Sequence, residues 1–79
     1  MKITVLCFAQ TREITGVSEL SVELPDSARV ADLSVALYAL HPALQPIPLR
    51  YAVNQNFVPP ETELHAGDTV ALIPPVAGG

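Results

Sequence analysis

The residues with the clearest chemical potential stand at the end of the chain, where Gly78 and Gly79 follow Pro74 and Pro75. Two glycines leave the backbone next to the terminal carboxylate free of side chains, so a narrow channel in another protein could admit it. The two prolines favour a stiff, extended base, which reduces the entropy lost when such an arm enters a channel. A frayed terminus remains the alternative reading of Gly-Gly alone.

The other side chains capable of chemistry are isolated from one another. Cys7 lies in an apolar stretch, which favours an inert buried thiol over a nucleophile. His41 precedes a proline at a predicted helix end, and His65 lies in a polar turn. One cysteine and two distant histidines lack the ligand spacing of a zinc site, so no metal is expected. Arg12 and Glu13 are more typical of a loop ion pair than of a catalytic dyad.

Length and composition exclude several classes of function. Seventy-nine residues, 49% hydrophobic and 15% charged, predict one folded domain with a small core. A deep active-site pocket is hard to form in such a core, which favours a carrier, an adaptor or a subunit. The net charge of -4 and four singly spaced basic residues argue against nucleic acid. No apolar run approaches the roughly 20 residues of a membrane span, and the cytoplasm is the expected location.

The first half of the chain predicts two strands and one helix. Residues Lys2–Ala9 are almost continuously apolar and predict a buried strand. Residues Gln10–Gly16 break that pattern, so we expect a loop leading into the alternating strand Ser18–Leu24. Apolar residues then recur at helical spacing over Val30–Leu40, and Pro42 would stop this helix.

The second half predicts short strands and turns. Residues Arg50–Asn54 and Phe57–Val58 predict two strands around a polar turn. Residues Leu64–Asp68 predict a helical turn followed by a tight turn. The last strand is expected over Thr69–Ile73, because the prolines after it cannot donate ladder hydrogen bonds.

This order of elements implies an α+β fold, with one mixed sheet and the helix across one of its faces. Residues 1–73 are expected to form the domain. Residues 74–79 are expected to project from it as a flexible arm.

Three motifs resemble those of the small subunit of molybdopterin synthase, which is a sulfur carrier. They are FAQ-x-RE at Phe8–Glu13, AVNQ at Ala52–Gln55, and GD-x-VA followed by PPV-x-GG over Gly67–Gly79. The resemblance covers essentially the whole chain in order, whereas the thiamine-pathway carrier is typically shorter and lacks the first two motifs. It implies a ubiquitin-like β-grasp fold, with a mixed sheet of about four to five strands and one main helix.

The resemblance also implies a sulfur relay at Gly79. In that family a ubiquitin-activating-like adenylyltransferase uses ATP to adenylate the terminal carboxylate, and a sulfur donor converts the acyl-adenylate into a thiocarboxylate. The large synthase subunit then receives the tail, and the sulfur passes to a pyranopterin precursor to form the dithiolene. The chain itself would hold no permanent cofactor, and the catalytic side chains would belong to the large subunit of a heterotetramer.

By the same resemblance, Gly79 and Gly78 form the reactive end, and residues near it contact the partners. These partner-binding residues are Pro74, Pro75, Val76, Ala77, Phe8, Arg12 and Ile73. Relatives often carry an aromatic residue near Ile73 and Thr or Ser at Ala77, so two positions depart from the pattern. Phe8, Leu72 and Ile73 each suit either the core or an apolar docking patch, and adjacent strand residues face opposite ways.

Three alternatives stay open. A sulfur carrier of another pathway, such as that of thiamine or a thionucleoside, would use the same tail. A ubiquitin-like modifier would instead be conjugated to lysines. A β-grasp interaction domain would bind partners without using its tail, and the full set of motifs argues against these last two.

Overall fold

The computed structural model describes residues 1–75 of the chain. Its elements, in order, are β1 (Lys2–Cys7), α1 (Gln10–Thr15), β2 (Glu19–Glu23), α2 (Val30–Leu40), a 3-10 turn (Pro42–Leu44), β3 (Arg50–Val53), β4 (Asn56–Val58) and β5 (Thr69–Ile73). The strands form one sheet in the order β2-β1-β5-β3-β4.

Strands β1 and β5 lie at the centre of the sheet and pair in parallel. The remaining pairs, β1 with β2, β3 with β5 and β3 with β4, are antiparallel. The sheet is therefore mixed, and one main helix, α2, covers one of its faces. This arrangement confirms the predicted α+β fold.

The core lies between α2 and the inward face of the sheet. Leu33 and Leu37 of α2 are fully buried, as are Ile3, Val5 and Val70 of the two central strands. The predicted helical stripe is thus the buried face of α2 except at Leu40, which was expected to belong to it and is 59% exposed in the last turn of the helix. Asp32 accepts a hydrogen bond of 2.8 Å from the backbone N–H of Arg29, which satisfies a donor at the start of this helix.

The segment Gln10–Gly16, predicted as a loop, contains a short helix instead. Residues Gln10–Thr15 form α1, and Gly16 ends it with a left-handed φ of 79° and an N–H that donates to the carbonyl of Arg12. Thr11 is the buried residue of this helix. The half-buried Ile14 also packs against the core. Because Ile14 is the one apolar residue of α1, this helix lacks the repeated apolar spacing by which a helix is detected.

The helical turn predicted within Leu64–Asp68 is also wrong. The chain around Glu63 and Leu64 pairs with a distant segment instead. The N–H of Leu64 donates to the carbonyl of Ala28, and Glu63 forms an antiparallel bridge with Arg29. The tight turn that was predicted to follow is confirmed at Gly67, whose φ is 86°. Within residues 1–75, no helix is long and apolar enough to cross a membrane.

Candidate functional site

The sheet face opposite α2, here called the outer face, carries a row of apolar side chains. Leu6 pairs with Ala71, Ala71 with Ala52, and Ala52 with Phe57. Residues directly opposite each other on paired strands point to the same side of a sheet. These four residues therefore form one line across the sheet from β1 to β4.

This row forms the floor of an open groove of about 690 Å³. Its apolar lining residues are Leu6, Phe8, Ala52, Phe57, Ala71 and Ile73, and Asn54, Gln55 and Thr69 form the polar remainder. The side chains of Phe8 and Phe57 are 48% and 55% exposed. An exposed apolar surface of this kind is typical of a protein–protein contact.

Phe8, Leu72 and Ile73 were each predicted to lie either in the core or in an apolar docking patch, and the structure decides between these two positions. Leu72 is fully buried and belongs to the core. Phe8 follows the end of β1 and Ile73 is the last residue of β5, and both line the groove. The alternation of a strand explains the opposite fates of Leu72 and Ile73.

The remaining predicted site residues fall into two groups. Pro74, which is half-buried, and the exposed Pro75 directly follow β5, so the chain leaves the sheet at the end of the groove. Arg12 is exposed on α1. Four of the predicted residues, Val76, Ala77, Gly78 and Gly79, lie outside the described residues.

The side chains that were considered for other chemistry lie where a structural role accounts for them. Cys7 is 1% exposed and unpaired in the core. Arg12 and Glu13, predicted as a loop ion pair, are neighbours on α1 and form no salt bridge within residues 1–75, since adjacent helix residues do not face each other. Over the same range no group of three or more His, Cys, Asp or Glu side chains is placed to hold a metal ion.

The backbone before α1 fixes the position of Phe8. Ala9 adopts φ 49° and ψ -119°, the geometry of the first central residue of a type II′ turn, a position that glycine usually occupies. The N–H of Thr11 closes this turn with a bond of 3.0 Å to the carbonyl of Phe8. A residue in such a conformation stores strain on the order of 1–3 kcal/mol. Ala9 was named only as part of the FAQ-x-RE motif, without a role for it, and Thr11 occupies the variable position of that motif.

The AVNQ motif contains the end of β3 and the two residues of the turn between β3 and β4. Asn54 and Gln55 both have positive φ, 48° and 74°, as a type I′ hairpin turn requires. The side-chain oxygen of Asn54 accepts from the N–H of Thr69, and its amide donates to Asp68, each at 3.0 Å. These two hydrogen bonds connect the turn at the polar end of the groove to the beginning of β5.

Arg50 and Phe57 form a contact on the outer face. The guanidinium carbon of Arg50 lies 4.1 Å from the ring centroid of Phe57, a cation–π arrangement. Arg50 pairs directly with Ile73 at the end of β5. Arg50 does not line the groove, but it contacts Phe57, which does, and it lies near the point where the chain leaves the sheet.

The sequence as a whole matches a known family. The model of the ThiS family covers residues 5–79. The chain belongs to the ThiS family. The molybdopterin synthase sulfur carrier subunit of Chlamydomonas reinhardtii is 45% identical over 83 residues, and the match covers 100% of both chains. The resemblance to molybdopterin synthase small subunits, first seen in three motifs, is thereby confirmed.

Solved structures of similar proteins have the same fold. A Pyrococcus furiosus protein described as molybdopterin converting factor subunit 1 has a TM-score of 0.90 and 34% identity, over 96% of this chain and 99% of that one. Small archaeal modifier protein 1 of Haloferax volcanii reaches 0.87 with 27% identity, over 95% and 98%. These likenesses confirm a ubiquitin-like β-grasp fold.

One solved relative is a complex. A chain in the complex of subunits 1 and 2 of the molybdopterin-converting factor of Helicobacter pylori has a TM-score of 0.71 and 22% identity, with complete coverage of both chains. At this identity the likeness concerns the fold.

Proposed function

We propose that the chain is the sulfur carrier of a molybdopterin synthase and that Gly79 holds the sulfur as a terminal thiocarboxylate. The observation that carries this assignment is the place where the last strand ends. Strand β5 ends at Ile73 beside an exposed apolar groove, and the sequence continues from there through Pro74 and Pro75 to the Gly78-Gly79 pair. The full-length match to a sulfur carrier subunit supports the same assignment.

The chemistry would proceed at the terminal carboxyl group in three steps. A carboxylate is a poor electrophile, so an activating enzyme first joins it to AMP from ATP, with release of pyrophosphate. Sulfur from a donor then displaces AMP and leaves a thiocarboxylate, which is ionised and nucleophilic at neutral pH. In the last step the sulfur passes to the pyranopterin precursor, and water restores the carboxylate.

The absence of side chains at Gly78 and Gly79 suits each of these steps. Two different enzymes must reach the same carbonyl carbon, and a side chain next to it would obstruct both. The proline pair at the base of the arm restricts its conformations before it enters either enzyme. The chain therefore provides the reacting group, while its partners provide the catalytic side chains and ATP.

The groove on the outer face would be the surface that both partners cover. Phe8 and Ile73 line it, and the tail begins where it ends. A large subunit that buries these apolar side chains would hold the domain while the tail reaches its active site. The Helicobacter pylori chain of the same fold is named as part of a complex of subunits 1 and 2 of a molybdopterin-converting factor. We expect the same pairing here, in the cytoplasm and within a heterotetramer.

A second function is favoured by one specific observation. The fold of a small archaeal modifier protein superposes on this chain with a TM-score of 0.87. A modifier would use the same adenylated tail but would pass its carboxyl group to a lysine amine, forming an isopeptide bond. The two functions differ in their products, because a carrier is released unchanged and a modifier stays attached.

Reconstitution with the cognate partners would test the assignment. The full chain, its activating enzyme, ATP, a sulfur donor and the large subunit should convert the pyranopterin precursor into the dithiolene product. A chain lacking Gly79 should give no product and yet keep its circular dichroism spectrum and unfolding midpoint, because a terminal residue contributes little burial. Product formation by the truncated chain would contradict the proposal, and lysine-linked conjugates in place of product would support the modifier.

A further inference from the structure

Arg50 occupies a distinctive place on the outer face. It begins β3, is exposed, and lies opposite Ile73 at the end of β5. Its guanidinium stacks on the ring of Phe57 at 4.1 Å. This contact holds the guanidinium over the ring of Phe57, a residue that lines the groove, and leaves the N–H groups along its plane available to another molecule.

The charges around Arg50 are unevenly distributed. The chain has eight acidic and four basic residues, yet within residues 1–75 no salt bridge involves Arg50. Glu19 and Glu23 of the outer face lie on β2 at the opposite edge of the sheet, where they pair with Leu6 and Lys2. Arg50 is thus separated from these two carboxylates by the width of the sheet, while Asp68 is hydrogen-bonded to Asn54 at the polar end of the groove.

We propose that Arg50 is a specificity-determining docking residue that binds a carboxylate side chain of the large synthase subunit, an inference that rests on the proposed function. The guanidinium fork matches a carboxylate in geometry and can donate two parallel hydrogen bonds to it. Because Phe57 already orients the side chain, little rotamer entropy is lost when the partner docks. Burial of the surrounding apolar groove would lower the local dielectric and strengthen the pair.

A protein carboxylate fits this position better than a free phosphate does. A phosphate site needs several convergent donors, whereas Arg50 stands as a single cation beside apolar side chains. An apolar partner surface with one acidic residue at its edge would complement the whole feature. The same pairing would disfavour partners that present a basic residue there, since like charges brought together are repelled.

The test compares charge-removing variants in binding to the large subunit from the same organism. Dissociation constants of the full chain would be measured by calorimetry at low and at high NaCl for the wild type, Arg50→Gln, Arg50→Lys and Arg29→Gln. Arg29 is the matched control, because it is an exposed arginine at the start of α2, on the other side of the sheet. Circular dichroism would confirm that each variant folds.

We expect Arg50→Gln to weaken binding by about tenfold at low salt, with a smaller difference at high salt as the ions screen the pair. Arg50→Lys should recover only part of this loss, because it lacks the planar fork. Arg29→Gln should stay within about twofold of the wild type. If Arg50→Gln failed to fold, Phe57→Leu would be used in its place. This variant keeps an apolar side chain but removes the ring on which Arg50 stacks, so it should reduce the difference in affinity between low and high salt.

Two results would overturn the inference. One is an Arg50→Gln affinity within about twofold of the wild type, and the other is a loss that does not change with salt. Either result would leave the proposed function standing, provided that the wild type binds. A wild type that does not bind its large subunit would overturn the proposed function together with the role of Arg50.

Discussion

The hydroxyl of Thr11 makes two hydrogen bonds of 2.8 Å to the backbone of Phe8: it accepts from the N–H and donates to the carbonyl oxygen. A hydroxyl can do both at once because it carries one proton and two lone pairs. Thr11 is fully buried, whereas the side chain of Phe8 is 48% exposed in the groove. A buried polar group thus fixes the backbone of an exposed apolar residue.

Replacing Thr11 with Val should disturb both stability and docking. The change leaves the two backbone groups of Phe8 without their side-chain partner, which should lower the free energy of unfolding by about 1–3 kcal/mol in urea titrations. Thr11→Ser keeps the hydroxyl and should lose less. If Thr11 acts on docking through Phe8, Thr11→Val should weaken large-subunit binding in the wild type but add little to a Phe8→Ala variant. Equal losses in both backgrounds would contradict this role.

Replacing Ala9 with glycine should cost less stability than the same replacement of an alanine within a regular helix. Its φ of 49° is unfavourable for a residue with a Cβ, and glycine relieves that strain. We expect Ala9→Gly to leave the free energy of unfolding unchanged or to raise it by up to about 1 kcal/mol. The control is Ala36→Gly within α2, which should lower it by about 1 kcal/mol. Similar losses in the two variants would show that Ala9 carries no strain.

The stability of the domain should depend on Tyr51 at high pH. Burial raises the pKa of Tyr51 from its ordinary value of about 10 to about 12, and the nearby Tyr38 hydroxyl adds to this, while the hydrogen bond from Ser34 opposes it. The folded state therefore keeps the phenol proton over a pH range in which the unfolded chain loses it. By linkage, the stabilisation is fully present below pH 10 and is lost as the pH rises toward 12.

Urea unfolding at pH 9 and at about pH 11 would measure this dependence. Tyr51→Phe removes the titrating group and should show a smaller fall in stability between the two pH values. It should also be less stable at pH 9, because Ser34 loses the hydroxyl partner that it contacts at 2.7 Å. Parallel falls in the two proteins would assign the pH dependence to other groups.

The elements with strong apolar periodicity could be predicted from sequence. Helix α2 shows its buried leucines at helical spacing, and the last strand lies within the expected residues Thr69–Ile73. Helix α1 could not be predicted, because its fully buried residue, Thr11, is polar and Ile14 is its one apolar residue. The segment around Leu64 is extended through a hydrogen bond to Ala28, a contact between distant parts of the chain that local pattern does not contain.

The candidate site likewise contains residues that could be predicted from sequence and features that could not. Phe8 and Ile73 were selected by resemblance, and the structure places both on the groove. The stack of Arg50 on Phe57 depends on the register of the β3–β4 hairpin, which sets residues seven apart side by side on one face. The strain at Ala9 depends on a backbone conformation that its residue type disfavours. Neither feature has a sequence pattern of its own.

The most direct test of the central claim is the intact mass of the chain after incubation with its activating enzyme, ATP and a sulfur donor. Exchange of one carboxyl oxygen of Gly79 for sulfur should raise the mass by about 16 Da, and the increase should disappear after transfer to the large subunit and its substrate. The chain without Gly79 should show no increase. An unchanged mass of the full chain, with an activating enzyme shown to consume ATP on it, would contradict the assignment of Gly79 as the sulfur-carrying residue.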